Sequence, residues 1–95
     1  MAAFVIALID VADPEAYKLY TVHTPRVIEQ YGGRFVVRGG APEALEGTLP
    51  ASRFVVIEFA DRAAARRFYD SPEYQEIIPL RQAAAKGSIA VVDTV

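Results

Sequence analysis

The run Phe4 to Ile9 contains no polar position. Residues Ala3 to Val11 therefore read as a strand, β-branched and apolar and closed by polar residues. Arg53 to Phe59 is the clearest strand. Val55, Ile57 and Phe59 fall on one of its faces, Phe54 and Val56 on the other. Between the two, Asp13-Pro14-Glu15 is a helix start, with a capping carboxylate, a proline suited to the first turn and an acid at the positive end of the dipole. That helix is expected to run to about Tyr31, with a bend near Pro25, and to stop at Gly32. Arg34 to Arg38 is a second strand, interrupted by Gly39-Gly40 as a bulge. A short extended piece near Ala44 to Glu46 and a turn over Gly47 to Ala51 follow. Asp61 caps a helix through about Tyr69. Ser71-Pro72-Glu73 starts a third helix, expected to be divided at Pro79 and ended by Gly87, and Ser88 to Val95 is the last strand.

The order β-α-β-β-α-β predicts a ferredoxin-like α+β fold with an antiparallel sheet, as a single domain over residues 1–95. The strands depart from the alternation of a sheet with one wet face. Both faces are apolar, and the helices can cover only one. A second copy of the chain is the simplest cover for the other, so a homodimer is expected. The alternative is that the C-terminal segment folds over the open face.

The chain has 95 residues, 53% of them hydrophobic, which excludes a disordered tail. Its net charge of −2 gives no attraction for nucleic acid or anionic lipid. No cysteine is present, which removes disulfides, thiolate nucleophiles and zinc–thiolate sites. The first apolar run is too short to span a membrane and follows no basic segment. A cytoplasmic protein is expected on these grounds.

Candidate chemistry lies where polar groups point inward. At 100° per residue, Ala16, Tyr20, His23, Val27 and Tyr31 share a face of the first helix. His23, the one histidine, is thus either a core residue with one hydrogen bond or a proton-transfer group. Tyr74, Ile78, Arg81 and Ala85 share a face further on. An arginine there needs an anionic partner, which Glu58 or a bound carboxylate or phosphate could supply. Arg38 and Glu58 lie on strands that pair across the Gly47–Ala51 turn. Glu46 and Arg53 are expected to form a surface cross-strand ion pair. The five tyrosines suit an aromatic ligand as a group and an ordinary core boundary singly. No second histidine supports a metal site, no G-x-S-x-G surrounds a serine, and neither glycine pair opens a phosphate loop. Arg62, Arg66 and Arg67 read as a solvated helix face.

Asp13-Pro14-Glu15-Ala16-Tyr17, Tyr31-Gly32-Gly33-Arg34-Phe35, Val37-Arg38-Gly39-Gly40 and Leu45-Glu46-Gly47 form a connected set. Val56-Ile57-Glu58-Phe59, Phe68-Tyr69-Asp70-Ser71-Pro72-Glu73-Tyr74 and Arg81 continue it. This set resembles the small bacterial proteins of domain-of-unknown-function family 1330 over essentially the whole chain. The family often has a proline after the Glu-Phe pair, where this chain has Ala60. The resemblance implies a dimeric α+β barrel, two ferredoxin-like subunits joined through their sheets, and brings no activity with it. Two functions from different classes are carried forward. The first is a cofactor-independent enzyme acting on a small anionic or aromatic molecule in a cleft between helices and sheet. There His23 would move a proton, Arg81 or Arg38 would hold the anion, and Tyr20 or Tyr74 would pack on the ring. The second is a non-catalytic small-molecule-binding or assembly module in which Arg81 pairs with Glu58.

Overall fold

A computed structural model describes all residues, 1–95. The strands are β1 (Ala3–Val11), β2 (Arg34–Gly39), β3 (Arg53–Phe59) and β4 (Ala85–Asp93). The helices are α1 (Pro14–Thr21), α2 (Thr24–Gln30), α3 (Arg62–Asp70) and α4 (Pro72–Ala84). One antiparallel sheet has the order β2-β3-β1-β4. Both halves of the chain follow a strand with a helix pair and return to the sheet, as the ferredoxin-like reading requires.

Local chemistry sets the helix starts. Asp13 Oδ1 accepts from the Ala16 N–H at 3.1 Å, Asp61 Oδ1 from Ala64 at 2.8 Å, and Ser71 Oγ from Tyr74 at 3.1 Å. Each satisfies an N–H that the first turn would otherwise leave free. The first helical segment is two helices, not one bent helix. Pro25 lacks an N–H and disfavours helical geometry before it. The chain therefore turns at Val22–His23 and starts again as α2. Tyr31, which caps the C-terminal end of α2, donates from Oη to Glu73 Oε1 at 2.7 Å and so braces α2 against the first turn of α4.

Three expectations are corrected. Pro79 does not divide α4, because it sits on the exposed side, where the Gln75 carbonyl it leaves unpaired can face water. Gly87 does not end that helix. The chain becomes extended at Ala85, and the Ala84 carbonyl accepts from Ala12 and Asp13 N–H groups at 2.8 and 3.0 Å. Finally, residues 44–46 form no strand; they belong to an exposed loop between β2 and β3. The bulge lies earlier than expected, between Phe35 and Val37, and Gly39 is still opposite Phe54.

The helices cover one sheet face. Val5, Ala7, Ile9, Val55, Ile57 and Phe59 are buried there against Val27, Phe68 and Ile77. The alternate residues make a second apolar face. Phe4, Ile6 and Leu8 stand in register with Val56, Phe54, Ala90 and Val92. No helix crosses this face, and the C-terminal residues pair with β1 as an edge strand instead of folding over it.

Gly87 is required by the close approach of β4 to β1. A Cβ there would lie 2.2 Å from the Leu8 carbonyl oxygen, a backbone atom that cannot move aside. Gly87→Ala is expected to lower stability by about 2 kcal/mol in chemical denaturation, with the edge strand losing hydrogen-exchange protection first.

Candidate active site

A cleft opens between the helix layer and the core face of the sheet. Its roof starts with Tyr17 and Tyr20 on α1. Tyr74 and Arg81 lie seven residues apart on α4, two turns along one side. Phe68 and Tyr69 close the end of α3. The floor is apolar along β1 and β3, with Arg38 and Arg53 at one end. That clustering follows from register. Arg38 faces Val55, which is two residues from Arg53, and Arg53 faces Ile9. Gly39 leaves room for the Arg53 guanidinium, since a Cβ would lie 3.0 Å from Nη1.

The polar centre is a buried tyrosine pair. Tyr20 Oη and Tyr74 Oη are 2.6 Å apart, and Arg81 Nη1 donates to Tyr74 Oη at 2.9 Å. Burial pushes the Tyr20 hydroxyl far above its ordinary value of 10.0; the Tyr74 hydroxyl reinforces the shift and the Arg81 charge opposes it. Burial also raises Tyr74, while the Tyr20 hydrogen bond and Arg81 pull it back. Each cleft arginine lies over a ring: Arg38 over Phe35 at 4.6 Å, Arg53 over Tyr17 at 5.6 Å and Arg81 over Tyr20 at 5.9 Å.

The lining contains three arginines and no carboxylate. The four ion pairs of the structure use Lys18, Arg34, Arg62 and Arg66, so none of the three is neutralised. Arg53 Nε is buried and has no hydrogen-bond partner. The free volume is small, about 40 Å³, room for a few waters. A larger groove of about 440 Å³ adjoins it and shares Ile9, Tyr69, Arg81 and Ile89. No group of three or more His, Asp or Glu side chains is placed to hold a metal ion.

The cleft gathers Tyr20, Arg38, Tyr74 and Arg81 from the expected set. It leaves out His23 and Glu58. The break before α2 removes His23 from the apolar stripe, which runs instead through Tyr17, Tyr20, Thr24, Val27 and Ile28. His23 is half-buried in the turn, with Nδ1 3.4 Å from Arg26 Nη2. Glu58 lies on the opposite sheet face and pairs with Arg34 at 2.7 Å, so it is not the partner of Arg81. The expected Glu46–Arg53 pair is absent, because Glu46 stays in the exposed loop and Arg53 turns under the helices. Arg53 is the cleft residue that the sequence reading placed elsewhere. It has the same strand parity as Val55, Ile57 and Phe59, and that parity was the signal.

The family model described as Domain of unknown function (DUF1330) matches residues 2–95. The chain belongs to the DUF1330 family. No curated protein matches its sequence significantly. Among solved structures, this DUF1330 chain is similar to a protein of unknown function from Rhodopseudomonas palustris, at 23% identity and a TM-score of 0.77, over 99% of this chain and 82% of that one. It is also similar to SnoaB, a cofactor-independent oxygenase from Streptomyces nogalater, at 15% identity and 0.66, over 99% and 92%. A dimeric ferredoxin-like protein of unknown function from Thermobifida fusca gives 15% and 0.64, over 99% and 92%. At these identities the likeness establishes the ferredoxin-like fold.

Raised tyrosine values carry a sign. Folding keeps the Tyr20 and Tyr74 hydroxyls protonated, so their contribution to stability is complete below pH 10.0 and falls away as pH rises towards the folded values. In an alkaline titration of tyrosinate absorbance, a late component is expected that shrinks in the Tyr20→Phe/Tyr74→Phe double variant, leaving the share of Tyr31, which its hydrogen bond to Glu73 also raises. A double variant with an unchanged late component would refute the assignment.

Proposed function

We propose that this DUF1330 protein is a cofactor-independent enzyme that binds a small, planar anion in the cleft between helices and sheet. The observation that carries this reading is the set of three ring-stacked arginines in an apolar cleft without one carboxylate. Arg38 is exposed, but Arg53 and Arg81 are half-buried without a counter-charge, and a cation partly withdrawn from water in that way is costly. An arriving carboxylate recovers that cost, and its hydrogen bonds strengthen as water is excluded. Tyr17, Tyr20, Phe35 and Tyr74 supply ring faces for an aromatic body. Tyr74, whose oxygen faces Arg81, is the group placed to exchange a proton with an occupant, the role first expected of His23. One structural neighbour, SnoaB, is described as a cofactor-independent oxygenase, which supports a cofactor-independent enzyme on this fold.

The narrow free volume favours a second reading, a non-catalytic assembly module whose cleft is filled by its own side chains. Calorimetric titration with benzoate and benzamide separates the two. The enzyme reading expects benzoate to bind at least about tenfold more tightly than benzamide, and Arg53→Gln to remove most of that margin. Equal binding of both, or of neither, leaves the assembly module.

We further propose that the protein works as a homodimer joined through the second apolar sheet face. The half-buried Phe4, Ile6, Phe54 and Val56 and the exposed Val92 on that face support it, as does the dimeric description of one neighbour. Ile6→Asp would place a charge at the centre of that contact. Sedimentation velocity is expected to show a dimer for the wild type and a folded monomer for this variant; a dimeric variant would move the interface elsewhere.

A further inference from the structure

The hydrogen bonds of the tyrosine pair do not use up its protons. A guanidinium only donates, so Tyr74 Oη must accept from Arg81 at 2.9 Å. The two hydroxyls carry two protons, and a single bond of 2.6 Å joins them. Neither oxygen makes any other hydrogen bond. If Tyr20 donates to Tyr74, the Tyr74 proton is left over. If Tyr74 donates to Tyr20, the Tyr20 proton is left over. In both arrangements one O–H leaves the pair without a protein acceptor, in a cleft whose walls offer no carboxylate. Burial keeps both hydroxyls protonated at neutral pH, so that proton is always present.

We infer that Tyr20 and Tyr74 together present one hydroxyl proton to the cleft, and that its occupant is a planar carboxylate carrying a second, acceptor oxygen such as a ketone. This inference rests on the anion reading above and narrows it. The carboxylate meets the unneutralised arginines at the Arg38–Arg53 end. The second oxygen accepts from the tyrosine pair, beside the Arg81 charge. A buried donor left unmade is costly and a made one is worth about tenfold in affinity, so the site discriminates by the presence of that oxygen. The cleft must widen to take a ring. Arg81 and Tyr69 form the wall shared with the larger groove, and the ring enters there.

The test compares the three acetylbenzoate isomers with the matching isopropylbenzoates, which have the same shape without the carbonyl oxygen. In the wild type, the best ketone is expected to bind about tenfold more tightly than its isostere. The proton count makes a less obvious demand on the variants. Tyr20→Phe still leaves the Tyr74 proton, and Tyr74→Phe still leaves the Tyr20 proton. Each single variant should therefore retain the preference, and the double variant should lose it. The carbonyl stretch of the bound ketone reads the same bond, lowered in the wild type and single variants and unshifted in the double. Phenylalanine keeps the ring shape, and retained benzoate binding confirms that the double variant has an intact cleft. If benzoate binds but the ketone brings no preference, or the preference survives in the double variant, this inference falls and the anion reading stands. If no carboxylate binds, both fall together.

Discussion

Every other feature depends on a sheet that is apolar on both faces. A strand places successive side chains on opposite sides, and in β1 both sets are hydrophobic. One face can be buried only by helices from the same chain. The short crossovers put the helix pairs α1–α2 and α3–α4 on that face, which leaves the other without helical cover. The helix layer therefore spans the sheet with side chains drawn from four separate helices, and its packing is closed by rings: Phe68 on Tyr74 at 4.4 Å, Phe59 on Phe68 at 5.2 Å. Where those rings give way to tyrosine hydroxyls and guanidinium groups, the core becomes a cleft. The site is the polar end of the core, not an addition to the surface.

Strand parity and helix caps were open to reading from the residues, because each depends on neighbours a few positions apart. Asp13, Asp61 and Ser71 cap the helices they were expected to cap. The two faces of β1 and β3 follow the alternation of their residues. What escaped was set by tertiary contact. Gly87 resembles a helix stop when read alone; its need becomes visible only when Leu8 lies across from it. Pro79 resembles a helix break, yet an exposed carbonyl can be left to water.

The site was legible in part for the same reason. Tyr74 and Arg81 share a side of α4 by helical spacing, and that relation holds. His23 was placed by continuing the phase of α1 beyond Thr21, where that helix ends, so it falls in the turn before α2 instead of on the apolar stripe. Glu58 was paired with Arg81 by chemistry alone, whereas strand parity directs it to the opposite face, next to Arg34. Arg53 was paired with Glu46 at the surface, when the parity of its own strand sends it under the helices. For Glu58 and Arg53 the periodicity of the strand was a better guide than the search for a plausible ionic partner.

The electrostatics of the cleft run against those of the chain. The net charge is −2, yet the cleft between helices and sheet is lined by three arginines and no acid. Potential in a low-dielectric cleft is set by the charges that line it more than by the total. Stacking on rings explains how the guanidinium groups are tolerated without carboxylates, since a ring face offers partial compensation. It does not satisfy their directional donors, and the buried Arg53 Nε remains without an acceptor. At the surface Arg34, Arg62 and Arg66 are neutralised by acids of the chain. The half-buried Arg53 and Arg81 carry no such counter-charge, and this local excess of positive charge is what favours an anion in the cleft.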